Sequence, residues 1–304
     1  MSLSEFHQGR QNPNQDITLD WFATKRERYS DSEGNEILNG FMIAELEALQ
    51  SLYEGETSAE NTAISITNPI SNSSVPFLGS YSDDRVAVTR LWHLLVEALI
   101  SWPAARTLDL LALLRAIGKL RSSIHKGEAL RDDGETPLPW SIFPHFSLAW
   151  FDIRNRWPGE IVMRAQGDAN ALESSRRRFI WRKDLEAQLI QSHVLRLDAL
   201  YVETEVAKTF ETEPSVQIPL DEAAADEQNR IEFQVPAVAS LTTYVCQRIF
   251  EMVVSQERGH QRWESWEQRL EQIKDEQLDD LTRDAAKVAL NNMQITRLGQ
   301  VSHA

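Results

Sequence analysis

Apolar residues recur at three- and four-residue spacing along most of this chain, and that period predicts helices. Phe41, Ile43, Leu46, Leu49 and Leu52 form one stripe between Asn39 and Tyr53. After Asp83 and Asp84, which are good helix starters, Leu91, Leu94, Leu95, Ala98, Leu99 and Trp102 continue at helical spacing until Pro103. The next segment, Ala104 to Leu120, is apolar on nearly every side through Leu108, Leu110, Leu111, Leu113, Leu114 and Ile117, which predicts a central helix packed by several neighbours. Further helices are expected from Pro144 to Trp157, where Pro158-Gly159 stops the pattern, and over Ala169 to Ser192 and Leu195 to Phe210. Pro236 is read as the start of a helix striped by Val238, Leu241, Val245, Ile249, Met252 and Val253. Trp263 and Trp266, at i and i+3, share a face with Leu270 and Ile273, and a closing helix follows from Asp279 to about Arg297.

No segment alternates apolar and polar residues between turns as a strand would. The expected fold is therefore all-α, an irregular bundle of eight to ten helices. Between the helices, polar stretches mark the organisation. Residues 1–36 read as a flexible N-terminal arm, because Trp21, Phe22 and Tyr29 are too sparse to define a face. Residues 37–304 read as a single helical domain. Within it, Ser, Asn and Thr with two prolines give 55–82 the composition of a polar loop, and acidic side chains give 211–235 that of a solvated acidic loop.

Length and charge narrow the class. A chain of 304 residues with 42% hydrophobic residues can bury a substantial core. The formal net charge of -15 argues against general binding to nucleic acid or anionic membranes, which require a basic face. No apolar run approaches the length of a membrane span, and no secretory or transit segment is read at the N-terminus. The single cysteine, Cys246, excludes an intrachain disulfide, and the expected location is cytoplasmic or nuclear.

Candidate chemistry is sparse, and no catalytic motif is recognisable. Glu257 and His260 form one E-x-x-H, but a di-iron bundle needs two copies and further glutamates, so no metal and no cofactor is expected. Cys246 beside Val245 reads as a small buried hydrophobe. There is no nucleophile elbow and no glycine-rich nucleotide loop. The one dense basic cluster is Arg176-Arg177-Arg178 with Arg182 and Lys183. Arg178 and Arg182, at i and i+4, could grip a carboxylate or phosphate, or pair with Glu186 or the acidic loop. Trp150 and Arg154, near His145 and Asp152 and flanked by Trp140 and Trp157, could wall a ligand pocket or simply wedge helices apart.

Several blocks in this order resemble a family of uncharacterised fungal proteins, domain of unknown function thirty-six thirty-two. They are the apolar helix Pro236 to Val254, Gly259, Trp263 and Trp266 with Arg269, and then Ala285, Ala286, Ala289 and Met293. A second block is Pro139, Trp140, Phe143, Pro144, Phe146 and Trp150, and a third is Phe179 to Leu189. One position departs from the pattern, since Glu267 stands where the family usually has lysine. The resemblance implies no established activity. It implies an intracellular setting, sometimes beside genes for secondary metabolism.

Three readings remain open. One is an accessory or binding protein, linked through the resemblance to a biosynthetic pathway. The second is an enzyme holding a small organic acid or polyketide-like substrate, with Arg178 and Arg182 as anion clamp and His145 as acid or base. The third is a protein-interaction module docking through the acidic loop or the Trp263 and Trp266 helix. The partner is accordingly a protein or a small molecule.

Overall fold

The computed structural model describes residues 18–30, 36–71, 83–121, 123–124, 138–154, 168–211 and 220–301. The all-α expectation holds, with eleven helical segments among these residues, close to the eight to ten expected. In chain order they are α1 (Thr18–Ser30), α2 (Glu36–Glu54), α3 (Ala59–Ser71), α4 (Asp83–Ser101), α5 (Thr107–Gly118), α6 (Phe146–Arg154), α7 (Ala169–Gln191), α8 (199–211), α9 (Leu220–Val254), α10 (Gly259–Ile273) and α11 (Asp280–Val301). A two-residue antiparallel ladder, β1 (Ser123–Ile124) with β2 (Leu138–Pro139), is the sheet found among the described residues.

The chain divides into two compact units, Asn14–Asn155 and Arg156–Ala304, where the sequence reading expects one domain over 37–304. Helical periodicity locates faces but does not say which faces share a core.

In the N-terminal unit α3 packs on α2 and α5, and α4 packs on α6. Leu46, Leu49, Ala63, Ile66, Leu91, Leu95, Leu113 and Ile117 are buried between them. Two expectations are corrected here. Part of the supposed flexible arm is helix α1, which packs on α2. Trp21 and Phe22 suffice to seat it, because both rings are buried against Trp102 and Phe22 also meets Tyr53. Part of the supposed polar loop is α3, in which Ala63, Ile66, Thr67 and Ile70 form a buried stripe. The Thr67 hydroxyl donates to the Ala63 carbonyl at 2.7 Å, so a polar residue enters the core satisfied. Helix α5 is buried on most sides but leaves Leu108 70% exposed, so it is not apolar-packed all round.

The C-terminal unit is organised around α9, which packs on α11, α7 and α10. Instead of starting at Pro236, this helix runs through it. A proline lacks the N–H that would bond to the carbonyl four residues earlier, here Glu232. The Glu232 carbonyl instead accepts from Arg176 Nε of α7 at 3.0 Å. The helix survives its proline because a buried guanidinium satisfies the carbonyl that the proline leaves open. A second irregularity, at Val245 (φ -137°, ψ 19°), kinks the helix beside Cys246. The helical part of 220–235 also corrects the expectation of an acidic loop there, whereas 212–219 lies outside the described residues.

The turn from α9 to α10 explains Gly259. A Cβ on this residue would lie 2.1 Å from the Val253 carbonyl oxygen and 2.7 Å from Val254 Cα, so the two helices close only over a bare backbone.

Candidate functional site

The residues singled out in the sequence fall in different settings. In the N-terminal unit, Trp150 is buried at 1% exposure and serves the packing of α6. His145 lies half-buried before α6 with φ 65°, and its carbonyl accepts from Leu148 N at 3.1 Å and Ala149 N at 3.3 Å. Phe143 is left-handed too (φ 46°), so a non-glycine residue on each side of Pro144 turns the chain into the helix. The Arg154 side chain and Trp157 lie outside the described residues. Asp152 is exposed and reaches His93 Nε2 at 3.4 Å.

In the C-terminal unit the arginine cluster divides. Arg176 points inward. Besides Glu232, it donates to Asp279 at 2.9 Å and to the Thr282 hydroxyl at 2.8 Å. Burial pushes Asp279 up, but hydrogen bonds from Thr282 and the Arg176 charge outweigh it and hold this carboxyl below the ordinary range. Arg177 pairs with Glu173 at 2.7 Å, Arg178 is exposed, and Arg182 is half-buried. Lys183 is buried and pairs with Glu186 at 3.0 Å and with Glu205, so the local acidic partner goes to the lysine. Glu205 lies in a π-helical turn of α8, Glu203–Ala207. A run that reads as a solvated basic face thus contains two internal staples.

Cys246 is buried, and its thiol is pushed up to about 11 by desolvation, with Glu267 adding to the shift and a hydrogen bond with Thr296 offsetting part of it. It is held in the unreactive thiol form. Glu257 and His260, the E-x-x-H pair, are both exposed. Among the described residues no three His, Cys, Asp or Glu side chains converge as metal ligands do. Nor is any helix there long and apolar enough to cross a membrane.

Helix α10 joins a buried aromatic face to a set of paired carboxylates. Its inner face buries Trp263, Trp266, Leu270 and Ile273, so the tryptophans themselves are not a docking surface. Both indole N–H groups end on carboxylates. Trp263 donates to Glu267 Oε1 at 3.0 Å, one helical turn along, and Trp266 donates to Glu211 at the end of α8. Arginines hold the same carboxylates from outside. Arg297 of α11 reaches Glu267 with Nε at 3.1 Å and Nη2 at 3.0 Å, and Arg262 reaches Glu211 with Nη2 at 2.8 Å. Such paired, charge-assisted bonds fix side-chain geometry more firmly than neutral ones.

Beside this inner face, α10 and α11 enclose an open groove of about 310 Å³ lined by Glu264, Glu267, Gln268, Glu271, Leu290, Gln294 and Arg297. Three carboxylates follow one ridge of α10 at i, i+3 and i+7. On α11, Ile295 and Leu298 stand 61% and 62% exposed, outside this lining. The groove therefore has two exposed carboxylates, Glu264 and Glu271, on its wall, with the buried Glu267 between them and the largely buried Leu290 on its floor. Its one arginine is already committed to Glu267.

Among these carboxylates the sequence singles out Glu267 alone, as a departure from the family pattern. The i, i+4 spacing of Trp263 and Glu267 is a local signal for their bond. Glu211 and Trp266 lie 55 residues apart and carry none.

The family model described as Protein of unknown function (DUF3632) matches residues 92–270, more than half of the chain, and the protein belongs to that family. No curated protein and no solved structure matches the chain. The family match ends at α10, so α11, the other wall of the groove, lies beyond it.

Proposed function

We propose that this protein is a helical binding protein, an accessory factor that recruits a macromolecular partner through the α10–α11 groove. The observation that carries the reading is the groove: an open concavity between α10 and α11 with the exposed carboxylates Glu264 and Glu271 on its wall and Glu267 fixed among them by Trp263 and Arg297. At about 310 Å³ the groove is at the low end of the roughly 300–1,000 Å³ typical of small-ligand pockets, and it is open along its length, which suits side chains of a partner better than an engulfed metabolite. The pathway implied by the family resemblance, secondary metabolism, is the setting we propose for this role.

Native mass spectrometry of the protein purified from its own host tests the reading. A protein partner retained by the wild type and lost from the Glu264→Lys/Glu271→Lys double variant is the expected result. A retained small molecule that survives the double variant, or no partner at all, would contradict it.

A further inference from the structure

Helix α11 has two faces. Ala285, Ala286, Ala289 and Met293 are buried on the side that packs on α9 and α10, where Asn292 also donates to the Thr243 hydroxyl at 3.3 Å. The opposite side carries Val288, Asn291, Ile295 and Leu298, at spacings of three, four and three. Val288 is half-buried, Asn291 is exposed, and Ile295 and Leu298 have more than half of their surface in solvent. This spacing is the seam of a heptad, with Val288 and Ile295 at a and Asn291 and Leu298 at d. In the same register Ala289, Leu290 and Met293 fall at b, c and f, so the seam and the buried face draw on different side chains.

Two features fit this seam to another helix better than to water. The chain is 25% charged, yet the sole charge between Val288 and Gly299 is Arg297, which is turned to Glu267 at 3.0 Å. A face without charge is one that two copies of a protein with net charge -15 can bring together without local repulsion. Gly299, at e on the flank of the seam, is the second feature. Glycine weakens a helix relative to alanine, and a Cβ here would meet nothing within 4 Å, so packing inside the chain does not require it. A second helix lying against the seam would, because it closes on that flank.

We propose that α11 is a dimerisation helix, and that two copies of this chain pair along Val288 to Leu298 as a short parallel seam. Three observations select this occupant. β-branched residues at a with leucine at d favour two strands. The seam is self-complementary, as a two-fold interface must be. Asn291 sets the direction: in the parallel pair it meets Asn291 of the second copy, where one amide donates to the other's carbonyl, whereas the antiparallel register sets it against Ile295 and strands the amide. At about three turns the seam is short, and the dimer dissociates on dilution. The pairing does not rest on the groove, and it belongs to a segment beyond the family match, which ends at residue 270.

Sedimentation velocity of the full chain across a wide range of concentration tests the pairing, with Ile295→Asp/Leu298→Asp as the variant. Both residues are exposed, so the variant keeps its fold, which circular dichroism checks. The wild type should move from one copy to two as concentration rises, with the dissociation constant raised at least tenfold in the variant. Direction is read by Leu298→Cys under mild oxidation. The native Cys246 is buried, so the introduced thiols react with each other, and the Leu298→Cys chain should form a disulfide-linked dimer faster than the Leu200→Cys chain, whose position on α8 is as exposed but lies off the seam. A wild type that stays monomeric at every concentration, a dimer that the aspartate variant weakens by less than twofold, or Leu298→Cys linking no faster than Leu200→Cys would overturn the proposal.

Discussion

Two tryptophan blocks, one in each unit, close their indoles in different ways. In the N-terminal unit, Trp92 donates to the Pro144 carbonyl at 2.6 Å and Trp140 to the Ser71 hydroxyl at 3.1 Å, both neutral acceptors within the core. Their rings meet edge to face at 5.7 Å, and Trp92 stacks on Phe146 in the same manner at 5.4 Å. In the C-terminal unit, Trp263 and Trp266 donate to Glu267 and Glu211, carboxylates that arginines grip from the solvent side. The first block is sealed and explains only packing. The second couples the core to a charged surface: the contact that seats Trp263 also sets the carboxylate that lines the groove. Aromatic burial is equal in the two, so burial alone does not tell a structural block from one that supports a surface.

Removing either block tests the equality. Trp92→Ala and Trp266→Ala should each cost ~3–5 kcal/mol of unfolding free energy, read by chemical denaturation, because each ring is fully buried. A much smaller loss for Trp266→Ala would mean that the second block is not core.

Acid and base should act on the units in opposite senses. Glu45 of α2, paired with Arg90 of α4, is pushed up from 4.5 to about 7 by desolvation, which the Arg90 charge and hydrogen bond offset only in part. Its folded pKa is raised, so its stabilisation is complete below 4.5 and is lost as pH rises through about 7, a change of ~3 kcal/mol from this group. Asp279 is lowered from 3.8 in the folded state, so its stabilisation is present above 3.8 and is lost as pH falls through the folded value. Denaturation midpoints followed across pH should show Glu45→Gln abolishing the loss between pH 4.5 and 7 and leaving the acid limb in place. An unchanged profile in Glu45→Gln would mean that Glu45 does not cause the loss.

Arg176→Ala should follow at ~3 kcal/mol by the same denaturation assay, since it strands the Glu232 carbonyl opposite Pro236 and unpairs Asp279. The double variant Arg176→Ala/Pro236→Ala supplies a separate check: restoring the backbone N–H should recover part of the loss, and no recovery would mean that the guanidinium is not compensating for the proline.

The smallest effects bear directly on the indole acceptors. Glu267→Ala should cost ~2 kcal/mol and Ser71→Ala ~1 kcal/mol, because only the former leaves a charged partner, Arg297, without its carboxylate. Added salt should narrow the difference, and an equal loss in the two variants would erase the contrast.

Most helices were legible from spacing because a buried stripe must repeat at the helical period, as α4, α10 and α11 show. What escaped had local composition at odds with its tertiary setting. Helix α3 reads as a Ser/Asn/Thr loop, yet four residues on its stripe found a core to enter. Helix α1 needed only Trp21 and Phe22 to dock. Pro236 reads as a helix start because the sequence near it does not reveal Arg176, 60 positions earlier in the chain. The groove was hidden for a different reason. The tryptophans stand out in the sequence and point inward, while the glutamates that face outward look like any solvated ridge until α11 is placed beside them.

The outward side of α10 is the proposed docking surface. A photoreactive residue at Gln268, on the groove wall and exposed, tests it when the full chain is cross-linked in its host, with Phe151 of α6 as the control position. A cross-link from position 268 to one protein, lost when Glu264 and Glu271 are reversed to lysine, is the expected result. Cross-links from Phe151 alone, or an unchanged product at 268 in the reversed variant, would contradict it.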